Sequence, residues 1–314
     1  MKRSIIVIFA ALAIAGCGSS TSNSNGTGGN GTGGNGGTSG GGSGGTGGGG
    51  SAGGGGGGSG GSGGGGGTTT GLVPPGGSLG TYIVLGDSIS DQGGNAPFFY
   101  DQLHADLAKK WPSMMYVHAA VAGAITDAYS DGIPVGAPTL KAQITGLGTS
   151  YPGDILVTVT IGGNDLNGHA VKAIGGIDAT VRGEFGTHLD AELGELMTPG
   201  RLGSGKVYLV VANIYDFTDG MGDFATVKCG PGANVTATMD QMVFGGWNGV
   251  AATSIGKAGG TLYDMHANFM GHGYNNTDMT QVWYDAASCI HPNAAGHDAI
   301  RRSIYNIVTG ETLP

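Results

Sequence analysis

Acidic side chains are absent from the first 86 residues of this 314-residue sequence: all 22 Asp and Glu lie at or after Asp87. Of the 13 basic residues only Lys2 and Arg3 fall in that stretch, so the remainder sets 11 Lys and Arg against 22 acids, a net charge near −11. Such a balance lacks the basic footprint that phosphate contacts need, which excludes nucleic acid as the expected partner. It also argues against docking on anionic lipid through a polybasic patch. Long apolar runs are missing as well; no stretch approaches the roughly 20 residues that a membrane span requires. Proline is scarce between residues 18 and 80, and the abundant glycine there has no three-residue period, so a collagen-like helix is excluded.

What is present divides the chain in two. Much of the excess glycine, 70 residues in all, lies between Gly18 and about Gly80, mixed with Ser, Thr and Asn. These residues carry no charge and too little apolar surface to offset their ordering entropy, so they read as a flexible tether. A Gly-rich coil of ~60 residues has a root-mean-square span of about 40–45 Å and a fully extended reach of about 200 Å. Ahead of it stand Met1-Lys2-Arg3, an apolar run from Ile5 to Ile14, and Ala15-Gly16-Cys17. This order reads as a signal peptide, and the small residues before Cys17 resemble the lipobox of bacterial lipoproteins. The resemblance implies cleavage before Cys17, lipidation of that residue, and a membrane anchor without a span. The Gly at position 18 resembles sorting to the outer membrane or cell surface. The expected boundaries are 1–16 for the signal, 17–80 for lipidated Cys and tether, and 81–314 for a single folded domain. Of three cysteines, Cys229 and Cys289 then remain as an even pair in an oxidising compartment, expected to form a disulfide or to stay two separate buried thiols.

Across the folded part, short apolar runs alternate with helical patterns. Strands are expected at Tyr82–Leu85, Met114–Val121, Asp154–Ile161 and Lys206–Ile214, with a short one inside Gly260–Phe269. Helices are expected at Pro97–Lys110, Ile177–Met197, Ala237–Lys257 (interrupted at Gly245-Gly246) and Asn293–Val308. Continuous apolar strands alternating with helices predict a parallel sheet covered on both faces, and in such sheets ligands bind beyond the strands' carboxyl ends. Those ends read Gly86-Asp87-Ser88, Ala122-Gly123-Ala124, Gly162-Gly163-Asn164-Asp165 and Asn213.

Four of these features fit one chemistry. Ser88, on a turn after a buried strand, projects a hydroxyl into the cleft near a helix N-terminus. Gly123, between two alanines, offers an unobstructed N–H. Asn164 supplies a neutral amide donor for the same oxyanion, and His291 in Cys289-Ile290-His291-Pro292-Asn293 is a candidate general base for Ser88. In this order the four motifs resemble the SGNH, or GDSL, hydrolase superfamily, over essentially the whole of residues 81–310. The resemblance implies an α/β fold, a three-layer flavodoxin-like sandwich around a parallel sheet. It implies Ser88 as nucleophile, His291 as base, and Ser88 N–H, Gly123 N–H and the Asn164 side chain as the oxyanion hole. It also implies no cofactor, and carboxylic ester substrates: acyl lipids, small acyl esters or acylated carbohydrates. The Gly-x-Ser-x-Gly elbow of the other large hydrolase fold is absent around Ser88. A non-catalytic surface lipoprotein on the same scaffold remains the alternative from a different class.

One departure stands out. The family usually places the triad acid three residues before the base, where this chain has Ser288; Asp285, six before, is the nearest upstream acid. Either Asp285 or a backbone carbonyl near Ser288 orients the imidazole. Asp87 and Asp165 are expected to hold loops, and His297 to pack or cap the last helix. His266, His272 and Asp264 match no strong metal-ligand spacing, so no metal is assigned. Gly200–Val207 resembles a phosphate-binding loop but lacks the terminal hydroxyl and precedes a strand, so it reads as a turn. Trp247, Trp283 and Phe269 either line a pocket or pack in the core.

Overall fold

The computed structural model describes residues 70–170, 178–224 and 234–313. The signal segment, Cys17, nearly all of the tether and Cys229 lie outside the described residues. In chain order the elements are β1 (Leu79–Gly86), α1 (Phe99–Lys110), β2 (Met115–His118), α2 (Leu140–Gly146), β3 (Asp154–Thr160), α3 (Gly163–Gly168), α4 (Asp178–Met197), β4 (Val207–Ala212), α5 (Ala237–Lys257), β5 (Thr261–Tyr263), α6 (Met265–Phe269) and α7 (Ala294–Thr309). The strands form one sheet in the order β2-β1-β3-β4-β5. Every neighbouring pair is parallel.

The apolar strands explain the layers. Successive side chains point to opposite faces, so a strand apolar throughout must be covered twice. Ile83, Leu85, Val157, Val159 and Leu209 face one side with Leu140 and Ile144 of α2, Phe185 and Leu189 of α4, and Trp247 of α5. Tyr82, Val84, Leu156 and Val210 face the other with Leu103 and Leu107 of α1 and Ile300 and Ile304 of α7. Each such aliphatic burial contributes about 1.5–3 kcal/mol. The result is the expected three-layer α/β sandwich, with β1 flanked by β2 and β3 at the point where strand order reverses.

Four differences from the sequence reading have physical reasons. The folded region begins before residue 81: Leu72 and Val73 donate to the carbonyls of Ile307 and Val308 at 3.0 Å, which straps the segment to α7. α5 runs unbroken through Gly245-Gly246. A Cβ on Gly246 would lie 2.2 Å from Arg182 Nη1, so the missing side chain admits α4 rather than breaking α5. β2 has four residues instead of eight, although Ala119 and Val121 still donate to Val84 and Gly86 at 2.9 and 3.0 Å. The short α2 and α3 carry too few turns for periodicity to reveal them. Asn293 caps α7 by accepting from Ala295 and Gly296, and Gly310 ends it in a left-handed conformation. Among the described residues no helix is long and apolar enough to cross a membrane.

Candidate active site

The site is built at the carboxyl end of β1. Gly86 has φ of 126°, and a Cβ there would meet the Thr160 carbonyl oxygen at 2.1 Å, so only glycine lets β1 turn away beside β3. The side-chain amide of Gln143 holds that turn, accepting from Gly86 N–H and donating to Gly86 O, both at 2.8 Å. Asp87 follows, buried, with Oδ1 accepting from Ile89 N–H at 3.0 Å and from the Thr160 hydroxyl at 2.9 Å. Burial pushes its carboxyl up to about 7 despite those two donors. Asp87 therefore holds the turn, as expected, and delivers Ser88 at its tip.

His291 Nε2 lies 2.7 Å from Ser88 Oγ across 203 residues of sequence. Burial lowers the proton affinity of the imidazole, and the charge of Asp285 opposes that effect. Gly93 lets the chain pass close to both partners: a Cβ there would lie 2.6 Å from His291 Cδ2 and 2.5 Å from Ser88 O. His297 fixes this segment, its Nε2 2.9 Å from the Gly93 carbonyl. Its ring packs among Phe98 and Phe99, and burial holds its own pKa down at about 4. The packing role anticipated for His297 thus has a second part, support of the Gly93 strand of chain.

The donors come from the two neighbouring loops. Gly123 has φ of 81°, while a Cβ there would meet nothing within 4 Å. The glycine is needed for its left-handed conformation, not for space. Neither Ser88 N–H nor Gly123 N–H donates to another group among the described residues. Asp91 ties the two loops together, its Oδ2 accepting from Ala122 N–H at 2.8 Å. Asn164, in the first turn of α3, donates from Nδ2 to Ala124 O at 3.0 Å, which sets its amide beside Gly123 and leaves a second N–H. Asp165 locks this pairing: one carboxylate oxygen accepts from Thr126 N–H (2.9 Å), Thr126 Oγ1 (2.6 Å) and the Tyr129 hydroxyl (2.7 Å). Gln143, Thr126 and Tyr129 were not visible as site residues in the sequence, because no local spacing joins them to Ser88 or Asn164; Asp91 follows Ser88 by three residues, but its partner Ala122 lies 31 residues on.

The expected use of Asp285 needs correction. Its carboxylate accepts from Ser288 N–H at 2.9 Å and from Ala287 N–H at 3.3 Å. Among the described residues no hydrogen bond reaches His291 Nδ1, from Asp285 or from a carbonyl near Ser288. Asp285, one of the two expected orienters, closes its own turn and acts on His291 through space. Trp247 and Phe269 are fully buried in the two cores, and Trp283 stacks on His272 with centroids 3.4 Å apart. Asp264 caps α6. Gly200–Val207 is the turn entering β4, as read. The described residues hold no cluster of three or more His, Cys, Asp or Glu that could bind a metal. A groove between α4 and α5, lined by Arg182, Gly186, Asp190 and Thr253, shares no residue with this site.

Residues 84–299 match the GDSL-like Lipase/Acylhydrolase family, a span that includes Ser88, Gly123, Asn164 and His291. No curated protein matches the chain. Among solved structures, the chain is similar to phospholipase A1 from Streptomyces albidoflavus NA297, at 20% identity over 74% of this chain and 100% of that one, with a TM-score of 0.48. The acetylxylan esterase Axe2 from Geobacillus stearothermophilus shares 19% identity over 74% and 94%, with a TM-score of 0.46. The extracellular lipase from Streptomyces rimosus shares 18% over 73% and 99%, also at 0.46.

Proposed function

The chain belongs to the GDSL-like lipase/acylhydrolase family, and from that premise we propose that it is a serine-dependent carboxylic ester hydrolase. The observation that carries the reading is the 2.7 Å contact between His291 Nε2 and Ser88 Oγ. Neutral His291, with its proton on Nδ1, accepts the hydroxyl proton as Ser88 Oγ attacks the ester carbonyl carbon. The oxyanion accepts from Ser88 N–H, Gly123 N–H and the free N–H of Asn164, each donor worth about 10²–10³ in rate. The imidazolium returns the proton to the leaving alkoxide, and water, activated by the same base, hydrolyses the acyl-enzyme. The burial that lowers His291's pKa keeps it a free base at neutral pH, while the Asp285 charge favours the imidazolium that forms.

Val121, two residues before Gly123, and Ile290, next to His291, are exposed apolar side chains on the site's own loops. They favour an apolar acyl group, as in lipids or medium-chain esters, over acetyl esters of carbohydrates. The proposal extends to placement: export, lipid attachment at Cys17, and a tether that lets the domain reach ester substrates away from the anchoring outer membrane or cell surface. A Cys229–Cys289 disulfide belongs to the same proposal and would pin the loop two residues before His291.

The test is hydrolysis of p-nitrophenyl esters from C2 to C16 by the full chain beside Ser88→Ala. Turnover that disappears in the variant and peaks above C4 supports the reading. A peak at C2 moves the substrate class to acetylated carbohydrate, and turnover equal in both proteins removes Ser88 from the mechanism.

A further inference from the structure

In most serine hydrolases a carboxylate on Nδ1 fixes the base; here that position of His291 has no hydrogen-bond partner among the described residues. Something else must set the ring, because a misplacement of 1 Å in a catalytic group costs about 10²-fold in rate. The backbone around His291 is a closed turn. Asp285 N–H donates to His291 O at 2.8 Å, Cys289 N–H to Asp285 O at 2.7 Å, and Ile290 N–H to Ser288 O at 2.8 Å. Cys289 adopts φ of 67°, a conformation that L-residues with a side chain hold only when their surroundings impose it. These bonds close the turn on itself, and just past the base Asn95 N–H donates to Pro292 O at 3.2 Å, which leaves the stretch from Asp285 to Ile290 to be held from elsewhere.

Two phenols grip that stretch by its carbonyls. Tyr215, three residues beyond β4, donates its hydroxyl proton to Ile290 O, the carbonyl immediately before His291. Tyr274 donates to Asp285 O at 2.9 Å, at the other end of the turn. Tyr215 is buried and stacked on Phe269 with centroids 5.0 Å apart, and it meets Tyr284 edge-on at 5.2 Å. Its position is therefore set by the core and by the end of a central strand. Burial raises its phenol pKa, which keeps the hydroxyl a donor throughout the working pH range.

Resting on the ester-hydrolase reading above, we propose that Tyr215 and Tyr274 are positioning residues for His291, clamping the base by its loop carbonyls in place of a carboxylate on its ring. Tyr215 carries the larger share, because its acceptor is adjacent to His291 and its own ring is locked in the core. The clamp transmits the register of β4 to Nε2, so the base stands opposite Ser88, which is itself set by β1.

Tyr284 provides an internal control. It belongs to the same aromatic cluster, but its hydroxyl is buried with no partner, so Tyr284→Phe makes the same chemical change without cutting a bond. In the full chain, Tyr215→Phe is expected to lower kcat 10- to 100-fold with KM within twofold of wild type. Tyr274→Phe is expected to lower kcat about fivefold, and Tyr284→Phe to stay within twofold. Hydrogen exchange at the Asp285 and Cys289 amides supplies a readout free of turnover, and it should quicken in the first two variants only. Should Tyr215→Phe fail to fold, Tyr274→Phe against Tyr284→Phe decides the same question at the other carbonyl. The clamp is overturned if kcat and amide exchange in Tyr215→Phe and Tyr274→Phe equal those of Tyr284→Phe. Hydrolysis that survives Ser88→Ala unchanged would instead sink the ester-hydrolase reading, and amide exchange alone then decides the clamp.

Discussion

The two halves of the site are held in different ways. Ser88, Gly123 and Asn164 stand where β1, the extension of β2, and β3 end, each within a few residues of a ladder hydrogen bond. His291 stands on the long connection between α6 and α7, outside the sheet, where side chains grip loop carbonyls beside backbone bonds within the loop and to Asn95. On the sheet side the backbone itself sets position, and small side chains suffice. On the loop side the proposed clamp uses two hydroxyls, the buried Tyr215 from 75 residues away and the half-buried Tyr274 from 11, so single substitutions there should loosen the loop without unfolding the sheet.

The largest test of this contrast is His291→Gln, expected to reduce kcat about 10⁴- to 10⁶-fold with little change in KM. A loss below 100-fold, measured on the best p-nitrophenyl ester, would mean that the base lies elsewhere and that the loop is scaffolding. Next is Asn164→Ala on the sheet side. It should cost about 10²–10³ in kcat and only about 1 kcal/mol in urea-unfolding free energy, for the lost bond to Ala124.

Asp285→Asn sharpens the comparison, because a true triad would lose about 10⁴ in kcat. With the carboxylate closing its own turn instead, the expected loss is about tenfold or less. The pH profile adds a sign. Only neutral imidazole accepts the Ser88 proton, so kcat/KM rises with pH through the His291 pKa. Burial sets that midpoint below 6.5, and Asp285 opposes the shift, so the variant's acid limb should move lower still. A midpoint that does not move would remove Asp285 from the electrostatics of the base.

The smallest effect on activity is expected far from the loop. Glu192 is buried on α4, and neither carboxylate oxygen has a partner. Burial, with Asp165 and Asp127 nearby, pushes its pKa up to about 9 from 4.5. Between those values the folded chain binds the proton more tightly than the unfolded chain, so stability declines as pH rises through that window. Glu192→Gln should abolish the decline, adding about 2 kcal/mol at pH 8 and little at pH 5, with kcat unchanged. Urea midpoints at the two pH values measure it; equal gains at both would show that the carboxyl's charge is not the cause.

The strand-end motifs were legible because their information is local. A buried apolar run, a glycine turn and a polar residue follow one another within a few positions, and β1 and β3 appear within three residues of where Tyr82–Leu85 and Asp154–Ile161 mark them. The errors arose where a residue's role depends on a partner remote in sequence. Gly245-Gly246 reads as a helix break from either side, yet the helix runs on and Gly246 is where Arg182 of α4 packs. Asp285 sits at a plausible distance before His291 in sequence, but its carboxylate is captured by nearer N–H groups. Gln143, which fixes both backbone groups of Gly86, is 57 residues from its target and belongs to no motif.

By itself the sequence determined the fold class and marked Ser88, Gly123, Asn164 and His291 as candidates, because apolar periodicity and strand-end turns are consequences of the local chain. It also determined the acidic character of the domain. Only the tertiary structure decided how the His291 loop meets its neighbours, because that depends on which hydroxyl finds which loop carbonyl after the layers have packed. Burial, a property of the assembled core, likewise decided that Asp87 and Glu192 favour their protons while His291 and His297 shed theirs.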